Sequence, residues 1–237
     1  MYLIIGSGRA ATHFSYYFSL KKIPFIQWSR KANSLAELES GLAAASKVLL
    51  LIRDSDIESF FQQRLLKFHG LVIHASGAIE VPGTISAHPL MSFGPEYYSL
   101  DIYENIGFAV GPETDFRELL PELRNPFFQI NSSDKALYHA WAVYSGNLAT
   151  LLWQEALRGF AELKVPPSAV EAYLLQVLNN VMKRPELALT GPLARKDKKT
   201  ISLHLKNLPE PARHIYQCFV DTYASEFRME VMHDANS

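Results

Sequence analysis

The stretch Tyr2-Leu3-Ile4-Ile5-Gly6-Ser7-Gly8-Arg9-Ala10-Ala11 decides the fold. Four apolar residues run into a glycine-rich turn, and residues 10–20 continue at helical spacing with Phe14, Tyr17 and Phe18 on one side. The turn fits G-x-G-x-x-A between a strand and a helix. Gly6 permits a tight turn, Gly8 lets backbone approach a pyrophosphate, and Ala11 is small enough for close helix–strand packing. Ser7, Arg9 and Ala10 complete the turn and open the helix, whose free N–H groups and positive dipole end suit an anion. Gly6, Ser7, Gly8, Arg9, Ala10 and Ala11 are therefore the candidate cofactor-binding turn.

Working outward, residues 24–29 read as a second strand, and residues 47–52 and 70–74 as strands apolar enough to be buried on both faces. Helical stretches at 34–45 and 56–68 separate them. Alternating strand and helix predicts an α/β, Rossmann-like, mostly parallel sheet. Shorter strands are expected at 84–88 and 106–110, and the last at 127–130. Beyond the cap cluster Ser132-Ser133-Asp134 the spacing is helical only, at 134–163, 167–183, 199–206 and 209–231. The reading is a dinucleotide-binding domain over 1–130 and an all-helical domain over 131–237, the latter for substrate and dimer contacts.

The end of the second strand bears on the cofactor. An NAD site places a carboxylate there to bind the ribose hydroxyls. This chain has Trp28-Ser29-Arg30-Lys31 instead. Arg30 offers a planar fork for a 2′-phosphate, and Ser29 and Lys31 add donors, so NADP is favoured over NAD. The alternative is that Arg30 and Lys31 merely solvate a turn.

Composition excludes several classes. The chain has 237 residues, 48% of them hydrophobic, and a formal net charge of −1. Residues 1–130 carry 11 basic and 13 acidic side chains and residues 131–237 carry 12 and 11, so neither part has the positive excess that nucleic-acid binding needs. One cysteine, Cys218, leaves no internal disulfide or cysteine cluster and fits a cytoplasmic setting. No basic residue precedes the first apolar run, so no signal peptide is expected. Residues 136–154 lack formal charge and approach spanning length, but His139, Tyr144, Ser145, Asn147 and Gln154 interrupt them. A helix buried on most sides, not a membrane span, is expected there.

Two motifs are set aside. Tyr17-Phe18-Ser19-Leu20-Lys21 fits Y-x-x-x-K but sits in the first helix, where it cannot reach a nicotinamide. The eight histidines show no ligand spacing, so no metal is expected.

The glycine turn, His74-Ala75-Ser76-Gly77 and His88-Pro89-Leu90-Met91-Ser92-Phe93 resemble the Rossmann-like half of the 6-phosphogluconate dehydrogenase-like superfamily. Tyr138-His139-Ala140, Ser145-Gly146-Asn147 and Thr190-Gly191-Pro192-Leu193-Ala194-Arg195, continuing to Asp197, Thr200, His204 and Leu205, resemble a bacterial group within it. That group joins a Rossmann-like domain to a helical domain of unknown function, and its relatives by fold include pyrroline-5-carboxylate reductase, ketopantoate reductase and the deazaflavin-dependent NADP reductases. Lys196 stands where the resemblance leads one to expect glycine. The resemblance implies an NADP-dependent oxidoreductase whose helical domain closes over the nicotinamide and forms a homodimer.

Hydride transfer to a carbonyl or imine of a small metabolite needs a proton donor and polar groups for the substrate. His88, expected at a strand's C-terminal end, is the first candidate donor, its ordinary pKa suiting proton transfer near neutrality; otherwise it caps its loop. Ser76 and Gly77 either approach the nicotinamide by backbone or form a plain turn. Ser145 and Asn147 are expected to face the site or to bond neighbouring helices. His139 lies about two turns before Asn147 on the same face. Arg195, Lys196, Lys198 and Lys199 are either a solvated run or a clamp for an anionic substrate. The site is expected between the two domains. A helix of about 30 residues spans about 45 Å, more than a small domain covers, so the apolar residues of its uncharged segment need a surface from the first domain or a second subunit, and a homodimer is predicted. The rival reading is a non-catalytic NADP-binding sensor or partner protein.

Overall fold

The computed structural model describes residues 1–223. They divide into two compact units, the first spanning Met1–Ala149 and the second beginning at Thr150. The change from strand to helix follows Gln129, yet the first unit runs twenty residues further. The start of the long helix packs on it, with Lys135 donating to the Ile79 carbonyl at 2.6 Å.

The first unit opens with β1 (Tyr2–Ile5), α1 (Arg9–Leu20), β2 (Phe25–Trp28), α2 (Leu35–Ala44), β3 (Lys47–Leu50), α3 (Asp54–Phe60) and β4 (Leu71–His74). A π-helical turn, Phe61–Leu65, extends α3. Next come β5 (Ile85–Pro89), α4 (Leu100–Glu104), β6 (Phe108–Val110), α5 (Phe116–Leu119) and β7 (Phe127–Gln129). The strands form one sheet in the order β2-β1-β3-β4-β5-β6-β7. Every neighbouring pair is parallel except β5 and β6. The single-turn helices α4 and α5 are too short to leave a periodic signal in the sequence.

Both faces of the sheet are covered, as the apolar runs require. Alternate residues of each strand feed opposite cores. Ile4, Leu49 and Ile73 pack with Phe14, Tyr17 and Phe18 of α1. Leu3, Ile5, Val48, Leu50 and Val72 pack with Leu38 of α2 and Ile57 of α3. Fully burying one such side chain stabilises the fold by about 1.5–3 kcal/mol. Local signals agree with the packing: Ser34 and Glu37 close a reciprocal cap on α2.

The helical part continues through α6 (Lys135–Val143), a π-helical turn (Tyr144–Leu148), α7 (Ala149–Glu162), α8 (Pro167–Lys183), α9 (Gly191–Ala194), α10 (Lys198–Asn207) and α11 (Ala212–Tyr223). The helix expected at 209–231 is described only to Tyr223; the remainder lies outside the described residues. The expectation that residues 136–154 are buried on most sides is overturned. Trp141 is 62% exposed and Leu151 60%, and Leu137, Tyr144 and Leu148 also face outward. Their apolar character is not matched by cover among the described residues. Among the described residues no helix is long and apolar enough to cross a membrane.

Candidate active site

The glycine turn is held between two strand ends. Gly6 donates to the Trp28 carbonyl at 2.9 Å, and Leu51 donates to the Ile5 carbonyl at 2.8 Å. Gly6 has φ 145°, and a Cβ there would strike the Leu51 carbonyl, so this position requires glycine. Ala11, packed beneath it, is fully buried. Gly8 differs. Its φ is −77°, which any residue adopts, and a Cβ there would meet nothing within 4 Å. Neither backbone strain nor packing explains why it lacks a side chain. α1 begins at Gly8 with no side-chain cap and no acidic residue in its first turn, so the turn of Ser7, Arg9 and Ala10 presents an uncompensated positive helix end.

β2 delivers its tail beside this turn, because Trp28 is in register with Ile5. Ser29 is buried and its N–H donates to Asn33 Oδ1 at 3.0 Å; Arg30 and Lys31 are exposed. Arg9 donates to the Phe93 carbonyl, on the loop after β5, at 3.5 Å. Arg53, exposed just beyond β3 on the other side of the turn, is a cation that the motif reading passed over. Its only signal was its place at a strand's C-terminal end.

A second cluster lies at the ends of β4 and β5. The Ser76 hydroxyl donates to Asp54 Oδ2 at 2.6 Å and accepts from the Ala78 and Ile79 N–H groups. Ser76 is thus buried and committed to bracing its turn. Gly77 makes room for two imidazoles: a Cβ there would lie 2.5 Å from His139 Cδ2 and 2.9 Å from His88 Cδ2. The His88 and His139 rings meet edge to face at 5.5 Å. His88 Nδ1 is 2.8 Å from the Tyr138 hydroxyl. Lys135, one turn before Tyr138 and buried, donates to Glu80 at 3.0 Å. Tyr138, Lys135 and Asp54 had not been singled out for chemistry. In the sequence Tyr138 entered only as part of the stretch Tyr138-His139-Ala140 that carries the resemblance, with no chemical role attached.

Electrostatics correct one expectation. His88 does not keep a near-neutral pKa. Burial, then the neighbouring His139 and Lys135, push it down to about 4 against the opposing pull of Asp54. Burial raises Tyr138 to about 12. His74 is fully buried, accepts the Ser76 N–H at its Nδ1, and is pushed down to about 4, chiefly by burial. Its Nε2 is the single buried side-chain nitrogen or oxygen among the described residues without a hydrogen-bond partner.

Ser145 and Asn147 are not the buried polar groups expected. Both are exposed, in the π-helical turn, and Ser145 bonds the Ala142 carbonyl of its own helix at 3.3 Å. His88, His139, Ser76 and Gly77 are brought together; no hydrogen bond joins Ser145 or Asn147 to them. Tyr17 donates to Asn125 at 2.8 Å and Lys21 pairs with Glu104 at 2.6 Å, so the Y-x-x-x-K residues serve packing. Arg195, Lys198 and Lys199 are exposed, and Asp197 caps α10 by accepting the Thr200 N–H. His204 bonds Tyr216 at 2.9 Å. No group of three or more potential metal ligands converges among the described residues.

Residues 113–222 match the family described as "Domain of unknown function (DUF2520)". A search of curated proteins finds no match. Among solved structures, the chain is similar to a Bacteroides fragilis protein described as a proposed NADP oxidoreductase, with TM-score 0.76 and 20% identity over 93% of this chain and 96% of that one. A Thermotoga maritima protein follows at TM-score 0.66 and 22% identity, covering 97% and 99%. An imine reductase from Myxococcus stipitatus, solved with NADP+, gives TM-score 0.61 and 11% identity over 98% and 94%. Identities this low speak for the fold alone: a Rossmann-like α/β domain followed by a helical region, with residues 113–222 matching a domain of unknown function.

Proposed function

We propose that the protein is an NADP-dependent oxidoreductase that transfers a hydride to or from a carbonyl or imine of a small metabolite. One observation carries the reading. Gly8 has no side chain where neither its φ nor its surroundings forbid one, and it stands at an uncapped helix start flanked by exposed Arg30. A ligand that brings phosphate against the backbone supplies the missing reason. The residues fit a dinucleotide. Gly6, Ser7, Gly8, Arg9, Ala10 and Ala11 would hold the pyrophosphate, and Ser29, Arg30 and Lys31 the 2′-phosphate. Arg53 adds a cation on the other side. When bound, the dinucleotide supplies or accepts the hydride. Strands lie about 4.8 Å apart, so β5 is about 14 Å across the sheet from β1, a span that supports reading His88, with His139 beside it, as a neighbour of the nicotinamide half. Similar structures described as a proposed NADP oxidoreductase and as an imine reductase with NADP+ support the same choice.

Calorimetry tests it. A charge-assisted bond to phosphate contributes roughly 1.5–3 kcal/mol, about 10- to 150-fold in affinity. Arg30→Ala should weaken NADPH by that factor and NADH little. Equal losses for both would sink the 2′-phosphate assignment, and no binding of either dinucleotide by the wild type would sink the whole reading.

A homodimer through the helical region is part of the proposal. From Thr150 on, Val170 is the only buried hydrophobic residue among those described, while Leu151, Trp153, Leu157, Tyr173, Leu175 and Leu178 are exposed. A second copy presents the matching apolar surface.

A further inference from the structure

We propose that Tyr138, hydrogen-bonded to His88, is the catalytic acid, and that the reacting group of the substrate is a carbonyl rather than an iminium. The proposal rests on the hydride-transfer reading above and goes beyond it in naming the donor and the substrate class.

The argument begins with what surrounds His88. α6 sets Lys135, Tyr138 and His139 against it, and α3 contributes Asp54 at a distance. Two of these neighbours, Lys135 and His139, oppose a proton on the ring, as does burial; the one carboxylate does not outweigh them. His88 is therefore a neutral imidazole at pH 7, and no imidazolium is there to give up a proton. The acidic hydrogen of the pair belongs to the phenol. It is available to a substrate only in one arrangement: His88 carries its hydrogen on Nδ1 and donates it to the Tyr138 oxygen, leaving the hydroxyl hydrogen free. The opposite arrangement spends that hydrogen on Nδ1. His88 is only partly buried, and among the described residues no hydrogen bond occupies its Nε2. The partly exposed ring gives the pair a route for proton resupply.

The chemistry then selects a substrate. A hydride that adds to an iminium carbon yields a neutral amine and calls for no acid. A hydride that adds to a carbonyl carbon leaves the C=O π pair on oxygen as an alkoxide, which calls for a proton in the same step. Reduced nicotinamide dinucleotide is the hydride source. Tyr138 breaks its O–H bond and gives the proton to the carbonyl oxygen. The Nδ1 proton of His88 passes to the phenolate as Nε2 takes one proton from solvent, and exchange of the ring protons with solvent then returns the hydrogen from Nε2 to Nδ1. The carbonyl is reduced to an alcohol, the dinucleotide is oxidised, and one solvent proton is consumed. A phenol held at about 12 stays protonated at neutral pH and remains a stronger acid than the alcohol it forms. Gly77 is what lets both rings sit over the turn, since a Cβ would collide with His88 and His139.

The test uses the whole chain. Nitrogen-15 NMR of the wild type should show His88 protonated on Nδ1 and not on Nε2, and Tyr138→Phe should move the hydrogen to Nε2. The variant keeps the ring that packs against Phe128 at 5.8 Å. With NADPH, ethyl pyruvate serves as the ketone probe and N-methyl-3,4-dihydroisoquinolinium as the preformed iminium. Tyr138→Phe should lower ketone turnover by roughly 100-fold or more and change iminium turnover less than about 3-fold, with NADPH affinity unchanged by calorimetry. An Nε2–H tautomer in the wild type overturns the proposal even if the variant fails to fold. So do equal losses on both probes, or NADPH binding with no turnover of the ketone. Failure to bind NADPH at all would instead remove the reading on which it stands.

Discussion

The sheet unit and the helical unit solve the problem of burial differently. In the first, Leu3, Ile4, Val48 and Leu50 are fully or almost fully buried, and each strand feeds a core on both faces. In the second, Val170 at 4% exposure is the one buried hydrophobic residue among those described. A region of this size is marginal even with a core of its own. The sheet unit carries its stability within the chain, whereas the described residues of the helical unit leave apolar surface uncovered. The dimer proposal follows from that contrast, and paired substitutions can break it. Ile4→Ala empties a fully buried position and should cost about 4 kcal/mol, the same at every protein concentration. Leu151→Ala should cost little in an isolated chain. In a dimer it should lower the melting temperature at high protein concentration, by an amount that shrinks on dilution as both forms dissociate. Light scattering that finds only a 26.7 kDa species at micromolar concentration would defeat the dimer.

The next effect in size is confined to the sheet unit and depends on pH. His74 keeps a folded pKa of about 4 against an ordinary 6.5. Below pH 6.5 the unfolded chain takes up a proton that the folded chain refuses. The contribution is therefore complete above about pH 6.5 and declines as pH falls to about 4, by roughly 3 kcal/mol for this fully buried ring. His88 shares the direction and the window. Urea midpoints measured between pH 7 and 4 should fall steadily. A flat profile over that range would mean that the two imidazoles are charged in the fold.

The same contrast shows why some features were legible in the sequence and others were not. The strands β1, β3 and β4 carry short apolar runs beside turn residues, and both those runs and the glycine turn disclosed them. The antiparallel placement of β6 depends on how a long connection, with its single-turn α4, leads the chain back; no local pattern encodes that. At the site, His88, His139 and Gly77 were named from residue type and position. Tyr138 was not, because an aromatic residue on an amphipathic helix looks like core, and only the tertiary fold sets it 2.8 Å from an imidazole. The exposure of residues 136–154 escaped notice for a third reason. An uncharged segment reports that apolar surface will be covered, not which chain covers it.

The smallest effect sharpens the comparison further. Lys196, where the resemblance called for glycine, adopts φ 56°. It follows α9 in a left-handed helix end: Asp197 donates to the Pro192 carbonyl at 2.9 Å and Lys196 to Leu193 at 3.2 Å. Lys22 does the same after α1, with φ 55°, while Ile23 donates to Phe18 at 2.9 Å and Lys22 to Ser19 at 3.1 Å. The left-handed conformation costs an L-residue about 1–2 kcal/mol. Glycine removes that cost but gains about 0.4–1 kcal/mol of unfolded-chain freedom and forfeits the pairing of a cation with the helix dipole, about 0.3–1 kcal/mol. The net gain expected at either site is at most about 1 kcal/mol, or about 2–4 °C. Because the two sites share one geometry, they report on the two units separately. If both units melt as one, Lys22→Gly and Lys196→Gly should raise a single transition by similar amounts. If the helical unit gives way first, calorimetry should show Lys196→Gly raising only the earlier transition and Lys22→Gly only the later. A fall in melting temperature at both sites would show that the lysine side chains contribute more than their backbone conformation costs.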